Sequence, residues 1–135
     1  MKQKSIYGIG VDIVDVVRLE QKIEQHNHKF AKKILTPVEY TKYLDIPEHS
    51  IRQRSRYAAK CWAVKEAFVK ALGTGFTNEF TWQDITYTSP KFGRPLVSLS
   101  EKSHNNSIMH NKHVHLSVSD EVTNVVAFVT IEEEK

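Results

Sequence analysis

From Ile6 to Val14 the chain reads IYGIGVDIV, an alternation that puts Ile9, Val11 and Ile13 on one side of a strand and Gly10 and Asp12 on the other. Asp15 then stands as the N-cap of a helix through Val16, Leu19 and Ile23, with Arg18 and Lys22 on its wet side. A short basic helical turn is expected from Phe30 to Leu35, after which Thr36, Pro37 and Glu39 supply an N-cap, a first-turn proline and an acid at the third position. The longest helix is predicted from near Ser50 to Gly73, because glycine follows the last good helix former. Downstream the period drops to two. WQDITYTS, RPLVSLS, HVHLSVSD and NVVAFVTIE read as strands, separated by PKFG, by EKSHNNSIMHNK and by Asp120 to Thr123. Within the second spacer, Ser103 to Lys112 is polar enough to be expected as a mobile loop. The pattern predicts one α+β domain over residues 1–135, its C-terminal half a mainly antiparallel meander around one long helix.

Composition narrows the class. With 40% hydrophobic and 26% charged residues, 135 residues suit a single soluble domain with a real core. No apolar run of spanning length and no signal-peptide pattern occurs, so the expected place is the cytoplasm, with no membrane partner. One cysteine, Cys61, excludes an internal disulfide framework and multi-cysteine zinc sites, and within a helical pattern it reads as a small buried group rather than a nucleophile. The net charge of +3 is mild but unevenly placed. His26, His28, Lys29, Lys32, Lys33, Arg52, Arg54 and Arg56 lie in the first sixty residues, while the chain closes on Glu132, Glu133 and Glu134. An acidic partner for the front half, or simply a solvated basic face, would account for this.

The candidate chemistry sits on the long helix, in CWAVKEAFVKALGTG. At about 100° per residue, Tyr57, Cys61, Val64, Phe68, Ala71 and Leu72 form the apolar stripe, and Glu66 and Lys70 fall on the other side. On spacing alone these two are a surface pair contributing about 0.3–0.5 kcal/mol. Trp62, one turn before Glu66, does not suit a wet face, so a second layer of the chain, another protomer or a ligand should cover it. In Gly73-Thr74-Gly75 the backbone amides could approach a phosphate, with Lys70 nearby to offset the unfavourable helix C-terminus. If Glu66 holds a magnesium ion, a second carboxylate is needed, and Asp12 is the best candidate, although by itself it also reads as a polar residue at a strand end. GIGVDI is not a dinucleotide fingerprint, since the third glycine position falls on Ile13. HVHLSVSD lines up His113, His115, Ser117 and Ser119 on one strand face, either a ligand-facing stripe or a half-exposed edge, and its two histidines do not complete a zinc site.

GIGVDIVDVVRLE, FAKKILTPVEY, WAVKEAFVKALGTG, WQDI, GRP and HVHLSVSD, in that order over about the whole chain, resemble the holo-acyl-carrier-protein synthase family, the small phosphopantetheinyl transferases. The resemblance implies the phosphopantetheinyl transferase fold and transfer of the 4'-phosphopantetheine arm of coenzyme A to a serine of acyl carrier protein, with Mg2+ as cofactor. It implies Asp12 and Glu66 as metal ligands and Lys70 as the group that neutralises the phosphate beside the leaving group. Gly73, Thr74, Gly75, Arg94, Pro95, His115 and Ser117 match the coenzyme A-binding elements. The serine proton would go to Glu66 or to a metal-held water. Cys61 stands where many members have arginine, and Trp62 where phenylalanine is usual.

Acyl carrier proteins are strongly acidic, and the family recognises them through early basic helices, which implies Arg18, Lys29, Phe30, Lys32 and Lys33 as the contact residues here. Family members of this size are homotrimers with sites at protomer boundaries, an arrangement that would cover the Trp62, Glu66 and Lys70 face. A rival reading, a small basic nucleic-acid-binding module, explains the lysines but not the carboxylates, so no nucleic-acid partner is expected. A non-catalytic coenzyme A-binding protein would bind the ligand without turnover.

Overall fold

In the computed structural model, which describes residues 3–135 of the expected 1–135 domain, the long helix α4 runs Ile51–Leu72 and stops at Gly73. The φ of 82° at Gly73 is left-handed, which suits glycine as a helix terminator. Three helices precede α4: α1 (Val16–Gln25), α2 (Lys29–Ile34) and α3 (Pro37–Asp45). Their starts follow the expected chemistry. Asp15 accepts the Arg18 amide at 3.1 Å, and Thr36 and Glu39 form a reciprocal capping box behind Pro37.

The strands do not make one meander. β1 (Lys4–Asp15), β4 (Lys112–Asp120) and β5 (Asn124–Glu134) form an antiparallel sheet in the order β1-β5-β4, while β2 (Ile85–Thr88) and β3 (Leu96–Leu99) make a separate hairpin. Between the two sheets the segment expected as a mobile loop, Ser103 to Lys112, holds the end of helix α5 (Glu101–His104) and a 3-10 turn at Ser107–Met109. Polar side chains cap both: Ser100, just before the segment, accepts the Ser103 amide, and Asn106 the Ile108 amide. The start of WQDI is likewise a 3-10 turn, Trp82–Asp84, rather than strand.

Helix α4 is apolar on two sides. Cys61, Val64, Phe68, Ala71 and Leu72 are buried as the stripe predicts and Tyr57 half-buried, but Ala58, Ala59, Ala63, Ala67 and Val69 are buried too. Much of the second side is backbone contact with β1. A Cβ built at Gly8 would lie 2.0 Å from the Ala71 carbonyl oxygen, and one at Gly10 would lie 2.0 Å from that of Ala67. Strand and helix touch main chain to main chain, which only glycine permits. The space beside Gly10 is therefore filled by α4 itself.

Lys65 and Glu39 are both fully buried and lock the other layer onto α4. Lys65 Nζ donates to Glu39 at 2.6 Å, to the Ile34 carbonyl at 2.6 Å and to the Trp82 carbonyl at 2.9 Å. Glu39 in turn accepts the amides of Thr36 and Tyr87. Every charge is matched, the condition under which such a pair is tolerated inside a protein. On the far side of the sheet, Ile6, Ile9, Val11, Ile13 and Phe128 stay exposed, each at 44% or more.

Candidate active site

The close approach of β1 to α4 brings Asp12 alongside the helix turn that carries Glu66 and Lys70. Lys70 does not close on Glu66 as a surface pair. Its ammonium reaches the strand instead, 3.2 Å from Asp12 Oδ1 and 3.1 Å from the Val11 carbonyl oxygen. The other Asp12 oxygen, Oδ2, is buried and has no hydrogen-bond partner. Burial holds Glu66 above the usual carboxylate range, reinforced by the Asp12 charge and only partly offset by Lys70. Burial also raises Asp12, against the hydrogen bond and charge of Lys70. Two half-buried carboxylates that repel each other, one with an oxygen left without a donor, form a donor set short of positive charge. Among the described residues no three His, Cys, Asp or Glu side chains gather as a metal site, so an ion here would depend on two protein ligands.

Trp62 is covered by its own chain. Its ring lies between Phe30, with centroids 5.5 Å apart, and Trp82 at 4.8 Å, and Trp82 stacks on Phe76 at 4.0 Å. A row of four aromatic rings therefore runs from the glycine turn after α4 to α2. Lys22 Nζ stands over its end, 5.4 Å from the Phe30 ring and 5.8 Å from that of Trp62. Beside it opens a cleft of about 220 Å³ lined by Ile13, Val14, Asp15, Arg18, Lys22 and Trp62, beginning one residue from Asp12. Sequence reasoning put Lys22 on the wet side of α1 but gave it no role. Its place one turn after Arg18 was the available signal.

The expected basic residues divide. Arg18 lines the cleft, and Lys29, Phe30 and Lys33 share a shallow pocket with His26. Lys32 faces a different groove, with Leu35, Pro37, Tyr40 and Gln83. Cys61 is fully buried, and burial with the nearby Glu39 charge pushes its thiol well up, which fits the packing role read from sequence.

The expected coenzyme A-binding residues do not gather in one chain. Gly73, Thr74 and Gly75 follow Lys70 directly, but all three amides donate to the Val69 carbonyl and so complete the helix cap. Those N–H groups are not free for a phosphate, a correction to the sequence expectation. The carbonyl ends of α4 needed them first. His115 and Ser117 lie on the outer face of the sheet, opposite the face that packs on α4, and His115 Nε2 is 2.7 Å from Glu132. Arg94 and Pro95 lie in the connection between β2 and β3.

This sequence and its fold have counterparts among known transferases. The family model described as the 4'-phosphopantetheinyl transferase superfamily matches residues 8–128, so the chain belongs to that superfamily. Its kin within it are holo-(acyl-carrier-protein) synthases. The Vibrio campbellii protein of that name is 40% identical over 129 residues, 95% of this chain and 98% of that one. The crystal structure of the Neisseria meningitidis holo-(acyl-carrier-protein) synthase superposes with a TM-score of 0.83 at 34% identity, covering 94% of this chain and 98% of that one. The Bacillus anthracis synthase, solved in complex with CoA (3',5'-ADP), has a TM-score of 0.77 at 30% identity, over 95% and 97% of the two chains.

Proposed function

We propose that this chain transfers the 4'-phosphopantetheine arm of coenzyme A to a serine hydroxyl of apo acyl carrier protein, releasing adenosine 3',5'-bisphosphate and supplying holo carrier protein for fatty acid biosynthesis. The observation that carries the reading is the Asp12 and Glu66 pair beside Lys70, with Asp12 Oδ2 buried and unmatched. That donor set fits magnesium, a hard ion held by one or two carboxylates that completes its shell with water and phosphate oxygens. Asp12 and Glu66 would hold it, and when bound it supplies positive charge at the pyrophosphate of coenzyme A.

The chain's own groups do the rest. Lys70 has a half-exposed side chain and needs only to leave Asp12 to meet the phosphate beside the leaving group, which it neutralises and can protonate. Glu66, or a water next to it, takes the serine proton. The serine oxygen forms the new bond to phosphorus as the pyrophosphate P–O bond breaks. Arg18 and Lys22 in the cleft, with Lys29, Phe30 and Lys33 beyond it, form a basic rim that suits an acidic carrier protein, and Lys32 adds charge from the next groove. A nucleic-acid reading uses the same lysines but leaves the carboxylates without a role.

The same reading makes the protein a cytoplasmic homotrimer with sites at protomer boundaries. It is supported by the exposed apolar outer face of the sheet, which a second copy would cover. His115 and Ser117 share that face, so they, with Arg94 and Pro95, meet coenzyme A across the boundary. Among the described residues no helix is long and apolar enough to cross a membrane.

The test is release of the bisphosphate from coenzyme A in the presence of apo acyl carrier protein. Turnover is expected with magnesium and lost on chelation. Glu66→Gln is expected to abolish it while the circular dichroism spectrum stays native, and near-normal turnover in that variant contradicts the metal assignment.

A further inference from the structure

Between α1 and α2 the chain makes an unusual turn. Asn27 and His28 are consecutive non-glycine residues in the left-handed region, with φ of 51° and 69°. Asparagine and histidine enter that region more readily than most residues, yet two in succession are uncommon, which raises the question of what holds His28 there. Its imidazole supplies the answer. His28 Nδ1 and the Tyr43 hydroxyl share a hydrogen bond of 2.7 Å, and the two rings meet edge to face with centroids 5.8 Å apart.

Tyr43 is a fixed post. It is wholly buried on α3, stacked on Tyr40 at 5.7 Å, with the Arg54 guanidinium 5.2 Å over its ring. Arg54 is itself held by the Ile46 and Leu44 carbonyls, which ties the post to α4. The two ends of α2 are thus anchored differently. At the C-terminal end Lys65 holds the Ile34 carbonyl, and Gln83 Nε2 holds those of Lys32, Lys33 and Leu35. At the N-terminal end, where Lys29 and Phe30 begin, Phe30 packs on Trp62 and His28 adds the side-chain hydrogen bond to Tyr43.

We infer that His28 is a positioning residue for recognition of the carrier protein: its bond to Tyr43 holds the left-handed turn that sets Phe30 beside Trp62 and Lys22, with Lys29 in the adjoining pocket. Without the bond, Asn27 and His28 relax toward ordinary backbone and the start of α2 swings. Asp12, Glu66 and Lys70, on β1 and α4, keep their places. The inference rests on the proposed carrier-protein surface, and the variants separate the two.

The experiment is steady-state kinetics with apo acyl carrier protein and with coenzyme A as varied substrates. His28→Ala is expected to raise the KM for the carrier protein about three- to tenfold, the factor one lost hydrogen bond carries, with kcat and the KM for coenzyme A unchanged. Tyr43→Phe, which keeps the buried ring, is expected to do the same, and the double variant to be no worse than His28→Ala. His28→Asn puts an amide near the place of Nδ1 and accepts the left-handed turn, so it is expected to restore the wild-type KM. An unchanged carrier-protein KM in folded His28→Ala overturns the inference, as does a parallel change in kcat and both KM values. Lys29→Glu provides the control: if it raises the carrier-protein KM while His28→Ala does not, the surface stands and the positioning role falls. If Lys29→Glu changes nothing either, the surface itself is misplaced and the inference goes with it.

Discussion

Lys70 could have paired with Glu66, one turn before it on the same helix, but its ammonium lies across the strand boundary on Asp12. That choice separates two roles for the lysine. A surface pair would leave turnover unchanged on truncation, whereas a group that offsets phosphate charge should not. Lys70→Ala is expected to lower kcat by about an order of magnitude or more, read from initial rates at saturating coenzyme A. The raised Asp12 and Glu66 carboxyls give a second consequence. Because their folded pKa values lie above the ordinary ones, the stability they allow is fully present below the ordinary carboxylate range and is lost as pH rises through the folded values. At neutral pH Glu66→Gln should therefore raise the melting temperature of the metal-free protein and remove the further rise that magnesium gives the wild type; thermal melts with and without magnesium check both. Glu66 and Lys70 were legible in the sequence as a wrong-side pair, and Asp12 as a polar residue beside a glycine. The pairing of Asp12 with Glu66 was expected from the need for a second carboxylate, but the reach of Lys70 to Asp12 was not, because it depends on how close two backbones come.

At the scale of elements, that closeness is built by Gly8, Gly10, Ala67 and Ala71. Gly10→Ala would put a methyl group against the Ala67 carbonyl oxygen and push β1 off the helix. It is expected to cost about 1–3 kcal/mol in chemical denaturation and to weaken magnesium binding by shifting Asp12. Periodicity revealed the helix and the strand but treated α4 as a one-faced amphipathic helix, so it left Trp62 looking exposed. In fact small residues on the second face admit the strand, and Phe30 and Trp82 close over the indole. The helix starts at Val16 and Pro37 were readable because capping is local chemistry. The division of the strands into two sheets was not, since pairing of β5 with the first strand is a long-range choice that alternation does not encode. The cap at Gly73 teaches the same lesson in reverse. A glycine turn suggested free amides, and the helix end had already taken them.

For the whole molecule, one sheet face packs on α4 and the other exposes isoleucine, valine and phenylalanine next to His115 and Ser117. The proposed trimer would account for both the apolar area and the scattering of the expected coenzyme A residues. Val11→Glu, in the middle of that face, is expected to give a folded monomer by light scattering with little turnover; a fully active monomer would return His115 and Ser117 to ordinary surface. The order of motifs along the chain made the family visible, but alternation alone did not show that His115 and Ser117 lie on the outer face of the sheet, away from Asp12 and Glu66. The most direct test of the central claim is the intact mass of apo acyl carrier protein after incubation with this protein, coenzyme A and magnesium. A gain equal to one phosphopantetheine, absent with Glu66→Gln, is the predicted result. An unchanged carrier-protein mass with the wild-type protein would contradict it.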